Sequence, residues 1–335
     1  MKSSLRTMAL AAAVGAVTAG TMGDGLAADT TKMRYGHMNA PGSVAGEQAQ
    51  MFADLLAERT NGAMKMTVYP SSQLGKLQEQ AEGVSMGSIT MSHNTAAGIG
   101  SLYAPFAALD TPYLYRNVDH LMKVVDVDSP VMKALNEGLI KAAGTRVLYA
   151  FYFGTRQLTA NKAFHSPESL AGTKIRAIPF PIYMSTVAGL GAIPVPVNFS
   201  ELPTALATGV VSGQENPIET IYASKIYEVQ SHIMLTGHIM GAEIVVINNK
   251  FWESLDAKSR DIMAAVANEV RVKATKMELQ AEKEDLEIMK KAGVTVIGEA
   301  EGLKLAAFKA SVRKVVQERL ADKYGDLYKM IEAIK

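Results

Sequence analysis

The chain has 335 residues, a formal net charge of +1 and no cysteine. Balanced charge argues against nucleic acid or an anionic membrane surface as a partner. The lack of cysteine excludes disulfides, thiol catalysis and thiolate metal sites.

The first element is a leader. Lys2 and Arg6 precede an apolar, small-residue run from Met8 to Met22, and Gly25-Leu26-Ala27-Ala28 offers a cut after Ala27. This predicts a secretory signal peptide over 1–27 and export to the periplasm. The run is too short and too rich in Gly, Ala and Thr to anchor in a bilayer, and no later stretch reaches ~18 apolar residues. Roughly 300 residues remain, more than one hydrophobic core usually serves, so two domains are expected.

Downstream, short β-rich runs alternate with amphipathic helical ones. A strand is predicted over 33–37. A helix over 47–60 carries Met51, Leu55 and Leu56 on one face and stops at Asn61-Gly62. Met64–Tyr69 alternates as a strand before Pro70, 76–84 is helical, and 88–92 is extended. A helix over 131–143 ends at Gly144 and a strongly apolar strand covers 146–153. Ser166-Pro167-Glu168 is a helix start. Strands follow over 174–178, 193–197 and 243–248. Such alternation predicts an α/β fold.

From Trp252 to Ala292 there is neither Gly nor Pro, and Ile262, Val266, Val270, Ala274, Met277 and Ala281 recur at helical spacing. One helix over 256–292 would be roughly 55 Å long at 1.5 Å per residue. That exceeds the width of a domain of about 150 residues, so it should lie across both domains. No Pro-, Gly- or Ser-rich linker separates two halves, which suggests several ordered chain crossings and a hinge suited to closure around a ligand.

Catalytic constellations are weak. Gly83-Val84-Ser85-Met86-Gly87 matches a nucleophile elbow, but that motif needs a strand entering and a helix leaving, and here the predicted order is reversed. The six histidines show no metal-ligand spacing. No Gly-rich phosphate loop is present, so no cofactor is expected. Arg176 stands out instead. It lies among apolar neighbours at the C-terminal end of a predicted strand, where open α/β sheets bind ligands. A guanidinium there needs an anion: a ligand carboxylate met by two parallel hydrogen bonds, or a structural Asp or Glu.

The segments Tyr69-Pro70-Ser71-Ser72-Gln73-Leu74-Gly75, Gly154-Thr155-Arg156-Gln157-Leu158-Thr159, Leu170-Ala171-Gly172-Thr173-Lys174-Ile175-Arg176, Phe199-Ser200-Glu201-Leu202-Pro203 and Gly213-Gln214-Glu215-Asn216-Pro217 strongly resemble TRAP-transporter substrate-binding proteins of the dicarboxylate-binding (DctP) type, in order along the mature chain. The resemblance implies a two-lobed periplasmic-binding-protein (Venus-flytrap) fold with a long helix spanning both lobes. Its expected division is 28–153 plus about 242–281 for the first lobe, and 154–241 plus about 282–335 for the second. It implies that Arg176 pairs with a substrate carboxylate, with Arg156 beside it and Asn216 bonded to the same group. Phe199 is then an aromatic wall, Asn39 a first-lobe polar contact, and His93, Asn94 and Thr95 the variable first-lobe wall.

Departures bear on the ligand. Ser212 replaces a common Asp, and Phe180-Pro181 follows the arginine. The acid and second arginine of sialate-binding members are missing near 93–95, which speaks against sialic acid. Phe180, Tyr183, Tyr152 and Phe153 suggest a compact oxo, hydroxy or aromatic monocarboxylate, with a C4-dicarboxylate or sugar acid as further options, unless these aromatics simply pack the lobe interior. The implied partner is a TRAP membrane permease, the expected state a monomer, and the expected activity binding without catalysis. The alternatives are a binding protein for an ATP-driven transporter and a secreted serine hydrolase using Ser85.

Overall fold

The computed structural model describes residues 31–335. The predicted leader, with its cut after Ala27, lies outside the described residues. Nine strands form one sheet: β1 (Thr31–Gly36), β2 (Met64–Tyr69), β3 (Met91–Thr95), β4 (Thr145–Ala160), β5 (Lys174–Ala177), β6 (Ile193–Pro196), β7 (Gly213–Pro217), β8 (His232–Asn248) and β9 (Thr295–Ile297). The helices are α1 (Val44–Arg59), α2 (Leu77–Met86), α3 (Ala96–Ile99), α4 (Val118–Val124), α5 (Pro130–Ala143), α6 (Pro181–Gly189), α7 (Leu202–Ala207), α8 (Ile218–Ala223), α9 (Asn249–Ser254), α10 (Ala257–Lys291) and α11 (Leu305–Ala333).

The strand order is β2-β1-β3-β8-β4-β7-β5-β6, with β9 beside β8. Parallel pairs at each end reflect β–α–β crossovers, while β4 and β8 run antiparallel through the middle. Those two strands are much longer than the sequence predicts, 16 and 17 residues. Each contributes one half to each lobe. The expected strand 146–153 stops at Gly154, and 243–248 starts after Gly241. Both glycines lie inside the continuous strands, paired with each other at a register shift.

Gly154 is required there. Its φ is +102°, and a Cβ would sit 2.7 Å from Pro217 Cβ and 2.8 Å from Glu278 Oε1. A side chain would meet both strain and overlap.

Each lobe carries a core on both faces of the sheet. In the first lobe, Phe52, Met91, Phe151 and Val266 pack on one face and Leu121, Leu135, Val147 and Ile244 on the other. In the second, Ile175, Tyr183, Phe308 and Val312 pack on one face and Ile218, Ile233 and Met289 on the other. Helix α10 spans both lobes, with Val266 and Val270 in the first and Met289 in the second. Asp256 caps its start by accepting from Ser259 N–H at 2.7 Å. It ends before Gly293, as the spacing predicts.

The expected elements include nothing after Gly293, yet α11 is a second spanning helix. Phe308, Val312, Val316 and Leu320 face the second-lobe core, and Ile331 enters the first-lobe core. Helix α11 thus packs against core clusters on both sides of the sheet's long central strands. Among the described residues no helix is long and apolar enough to cross a membrane.

Gly154→Ala is expected to lower unfolding free energy by about 1–3 kcal/mol. Urea denaturation checks this, and an unchanged midpoint contradicts the close packing at the crossing.

Candidate functional site

The carboxyl ends of β1 and β3 face those of β5 and β7, the place where open α/β sheets gather ligands. Contacts already bridge the two sides. Glu219 Oε1 accepts from Val44 N–H at the start of α1, at 2.9 Å. Tyr183 donates its hydroxyl to Asp110 Oδ2 at 3.1 Å. Lys76 pairs with Glu201 at 2.7 Å. Between them lies a cavity of 460 Å³, with Met38, Ser72, Lys76 and Leu77 on one side and Arg176, Phe180, Asn198, Phe199 and Ser200 on the other.

Two arginines are buried here, each 1% exposed, and they differ in what meets their charge. Arg156, on β4, is held by Glu215 on β7. Its Nε donates to Glu215 Oε2 at 2.5 Å and its Nη2 donates to Glu215 Oε1 at 3.0 Å and the Glu215 carbonyl at 2.8 Å. Antiparallel pairing of β4 with β7 sets Arg156 opposite Pro217 and Glu215 opposite Leu158, so the two are diagonal neighbours on one face. His238 completes the group, with Nε2 3.0 Å from Glu215 Oε2. Burial alone would raise the Glu215 carboxyl, but the Arg156 charge and these hydrogen bonds outweigh it and hold it at about 2. Glu215 in turn raises the pKa of Arg156 against the effect of burial.

Arg176, on β5, has no such partner. Its Nε donates to the Val197 carbonyl at 2.8 Å, and its Nη1 is buried with no hydrogen-bond partner. The guanidinium lies over the Phe199 ring at 5.9 Å. Burial lowers its pKa to about 10; Glu215 opposes that shift and Arg156 adds to it. The side chain is still charged at neutral pH. The alternative of a structural salt bridge therefore describes Arg156, not Arg176.

The other predicted residues divide. Phe180 and Phe199 line the cavity with Arg176. Tyr183 stacks its ring 5.1 Å from the Arg156 guanidinium. Asn216 accepts from Arg156 Nη2 at 3.0 Å and donates to Gln214 Oε1. An amide has two N–H donors, so one remains. Asn39 and His93 come together, Oδ1 to Nε2 at 2.9 Å. Asn94 does not join them. Side chains alternate along a strand, so Asn94 points the other way and donates to the Leu77 carbonyl at 2.7 Å. The Thr95 hydroxyl is taken up as the cap of α3, accepting from Gly98 N–H. Tyr152 and Phe153 pack in first-lobe cores, the plainer of their two readings.

Sequence reasoning missed Glu215, His238, Asp110, Glu243 and His37. Glu215 was visible only as a charge beside Asn216 in the Gly213–Pro217 motif, where no strand is predicted. His238 and Glu215 are 23 positions apart, and only strand register joins them. Asp110 is pushed up to about 6 by burial, against the Ala97 N–H, the Tyr183 hydroxyl and Arg156.

The Ser85 motif lies elsewhere. Helix α2 enters it and β3 leaves, Ser85 donates to the Ala143 carbonyl at 2.6 Å, and the surrounding depression holds no histidine. The Ser85 hydroxyl is thus bonded to a backbone carbonyl rather than to a histidine or carboxylate. Among the described residues no cluster of His, Cys, Asp or Glu could hold a metal ion.

The family profile of bacterial extracellular solute-binding proteins, family 7 (DctP), matches residues 35–323. The chain is 31% identical over 267 residues to the sialic acid-binding periplasmic protein SiaP of Vibrio cholerae, covering 79% of this chain and 82% of that one. It is 30% identical over 299 residues to the C4-dicarboxylate-binding periplasmic protein DctP of Rhodobacter capsulatus, covering 89% of each. A solved TRAP periplasmic solute-binding protein from Polaromonas, bound to D-erythronate, superposes with a TM-score of 0.84 at 28% identity, covering 91% of this chain and 99% of that one. The chain belongs to this family.

The carboxyls predict opposite pH effects. Glu215 is held below its ordinary 4.5, so its stabilisation is full above that value and is lost as pH falls through about 2. Asp110 is held above its ordinary 3.8, so stability falls as pH rises from there through about 6. Asp110→Asn should remove that fall, gaining about 1–3 kcal/mol relative to the unsubstituted protein between pH 4 and pH 7.5. Denaturant titrations at the two pH values check this; equal gains at both contradict it.

Proposed function

We propose that this member of family 7 is exported to the periplasm, binds a small organic acid between its lobes as a monomer, and delivers it without turnover to the membrane permease of a TRAP-type secondary transporter. The observation that carries this reading is the buried, uncompensated guanidinium of Arg176 at the wall of an interlobe cavity. Burying a charge that no protein carboxylate pairs with directly is costly. A ligand carboxylate removes that cost and matches the planar fork. Relatives named for sialic acid and C4-dicarboxylates, and a structural neighbour holding D-erythronate, all concern carboxylates.

In this reading the lobes divide at Gly154 and Gly241, with the end of α11 returning to the first lobe. Arg176 fixes the carboxylate, with the remaining N–H of Asn216 beside it. Phe199 and Phe180 wall the cavity. Arg156, held by Glu215, anchors Asn216 and Tyr183, while Asn39 and His93 form the opposing first-lobe surface. The anion docks on the second lobe, and closure brings up the first and excludes water. Each charge-assisted hydrogen bond is worth about 1.5–3 kcal/mol, so two or three orient the acid and supply part of the binding, with burial of the ligand in the closed cleft supplying the rest.

A thermal-shift screen over organic acids should give a stabilising ligand by mass action. Against that ligand, calorimetry should show Arg176→Lys losing roughly 10- to 100-fold in affinity, one charge-assisted bond's worth. Arg176→Met should lose measurable binding, yet leave the unliganded protein as stable or more stable, since it removes an unmet buried charge. Unchanged affinity in both variants, or severe destabilisation of unliganded Arg176→Met, contradicts the proposal.

A further inference from the structure

Where β4 crosses between the lobes, α8 and α10 bring together carboxylates that the ligand site does not use. Glu278, on α10, is fully buried, and neither of its oxygens has a hydrogen-bond partner. It stands against the crossing, with Oε1 2.8 Å from where a Cβ on Gly154 would lie. Along α10 it falls between Ala274, in a first-lobe core, and Met289, in a second-lobe core. Glu219, on α8, is also buried and reaches across the lobes. Its Oε1 accepts from Val44 N–H at the start of α1, while its Oε2 has no partner. Helices α1 and α8 and strand β4 all pack on α10. The charges that act most on Glu278 are other carboxylates: Glu219 from α8, Glu282 and Asp285 from its own helix, and Glu243 from β8. Glu47 on α1 adds to the negative field at Glu219. From β4, the Tyr152 hydroxyl and the Thr155 N–H donate to Glu282, and the exposed Lys283 acts on Glu282 as well.

We propose that Glu219 and Glu278 make the hinge proton-linked: the closed lobes hold protons that the open lobes release, so closure weakens as pH rises. This rests on the hinge placed at Gly154 and Gly241 in the proposed function, and not on the carboxylate reading of Arg176. Buried carboxylates that face one another cannot all ionise without a large cost. Burial raises Glu219 to about 7 against the Val44 N–H, and burial with the neighbouring carboxylates holds Glu278 well above the usual range. Opening takes the start of α1 off Glu219 and shifts the strands at Gly154 against α10, which admits water and restores ordinary values. A carboxyl whose pKa is higher in the closed form favours closure below its open-form value and loses that effect as pH rises through its closed-form value. For Glu219 the window runs from its ordinary 4.5 to about 7, and Glu278 extends it upward.

Energy transfer between two dyes on the full mature chain tests this, with no acid added. The chain has no cysteine, so Glu58→Cys on α1 and Ala207→Cys on α7, both exposed, place one dye on each lobe. The closed-to-open ratio should fall roughly tenfold or more from about pH 5.5 to about pH 8.5. A ratio that does not change overturns the inference. Glu278→Gln should keep the lobes closed at the higher pH and shrink the change by roughly threefold or more; an unaltered pH response overturns the inference. If Glu278→Gln misfolds, Glu219→Gln, which keeps an acceptor for Val44 N–H, is read in the same way. Asp110→Asn removes the other raised carboxyl between the lobes and should leave most of the change. Loss of the whole response in that variant assigns it to Asp110 and overturns the inference. If no organic acid binds, or Arg176→Lys leaves affinity unchanged, the reading of Arg176 fails while the pH response stands. A flat pH response with acid binding intact sinks the hinge alone.

Discussion

A guanidinium taken out of water must meet an anion inside the protein or leave the folded state carrying the cost. The cleft buries two. Arg156 has Glu215 and, through it, His238, a group in which charge and hydrogen bonds are internally satisfied. Arg176 has one backbone carbonyl and an unmet Nη1. The contrast separates structure from function. One arginine is paired within the protein, and in the proposed reading the other receives its counter-charge from the ligand.

The proposed closure requires a scaffold that keeps that arrangement in place. Arg176 sits on a short strand whose neighbours are parallel, and Arg156 sits on a strand that continues into the other lobe. The two long strands, α10 and α11 all pass between lobes, so rotation must be absorbed at a few positions. Gly154 and Gly241, paired at a register shift, are suited to absorb it. The contacts between the lobes include a helix N-terminus on Glu219, a tyrosine on Asp110, Tyr113 on the Thr236 carbonyl, apolar packing of Met38, Leu77 and Ala97, and one exposed ion pair. An exposed pair of that kind contributes little in water, which suits a contact that must open.

Much of this was legible in the sequence. The absence of Gly and Pro from Trp252 to Ala292 gave the spanning helix almost to the residue. The position of Arg176 among apolar neighbours marked it as a charge needing a partner. Other features were hidden for physical reasons. Glycines that break a strand pattern locally lie inside β4 and β8, because the neighbouring strand supplies the hydrogen bonds. The period-two alternation of β3 separates Asn94 from His93, although the two are adjacent in sequence. The partnership of Glu215 with His238 depends on register, which no local pattern encodes.

The account turns on what Arg176 holds. A crystal structure of the protein with its tightest organic acid tests this most directly. The account predicts a carboxylate oxygen within hydrogen-bond distance of Arg176 Nη1, with Arg156 still paired to Glu215. A bound acid whose carboxylate lies away from Arg176, or an Arg176 satisfied by a protein carboxylate in the complex, would contradict it.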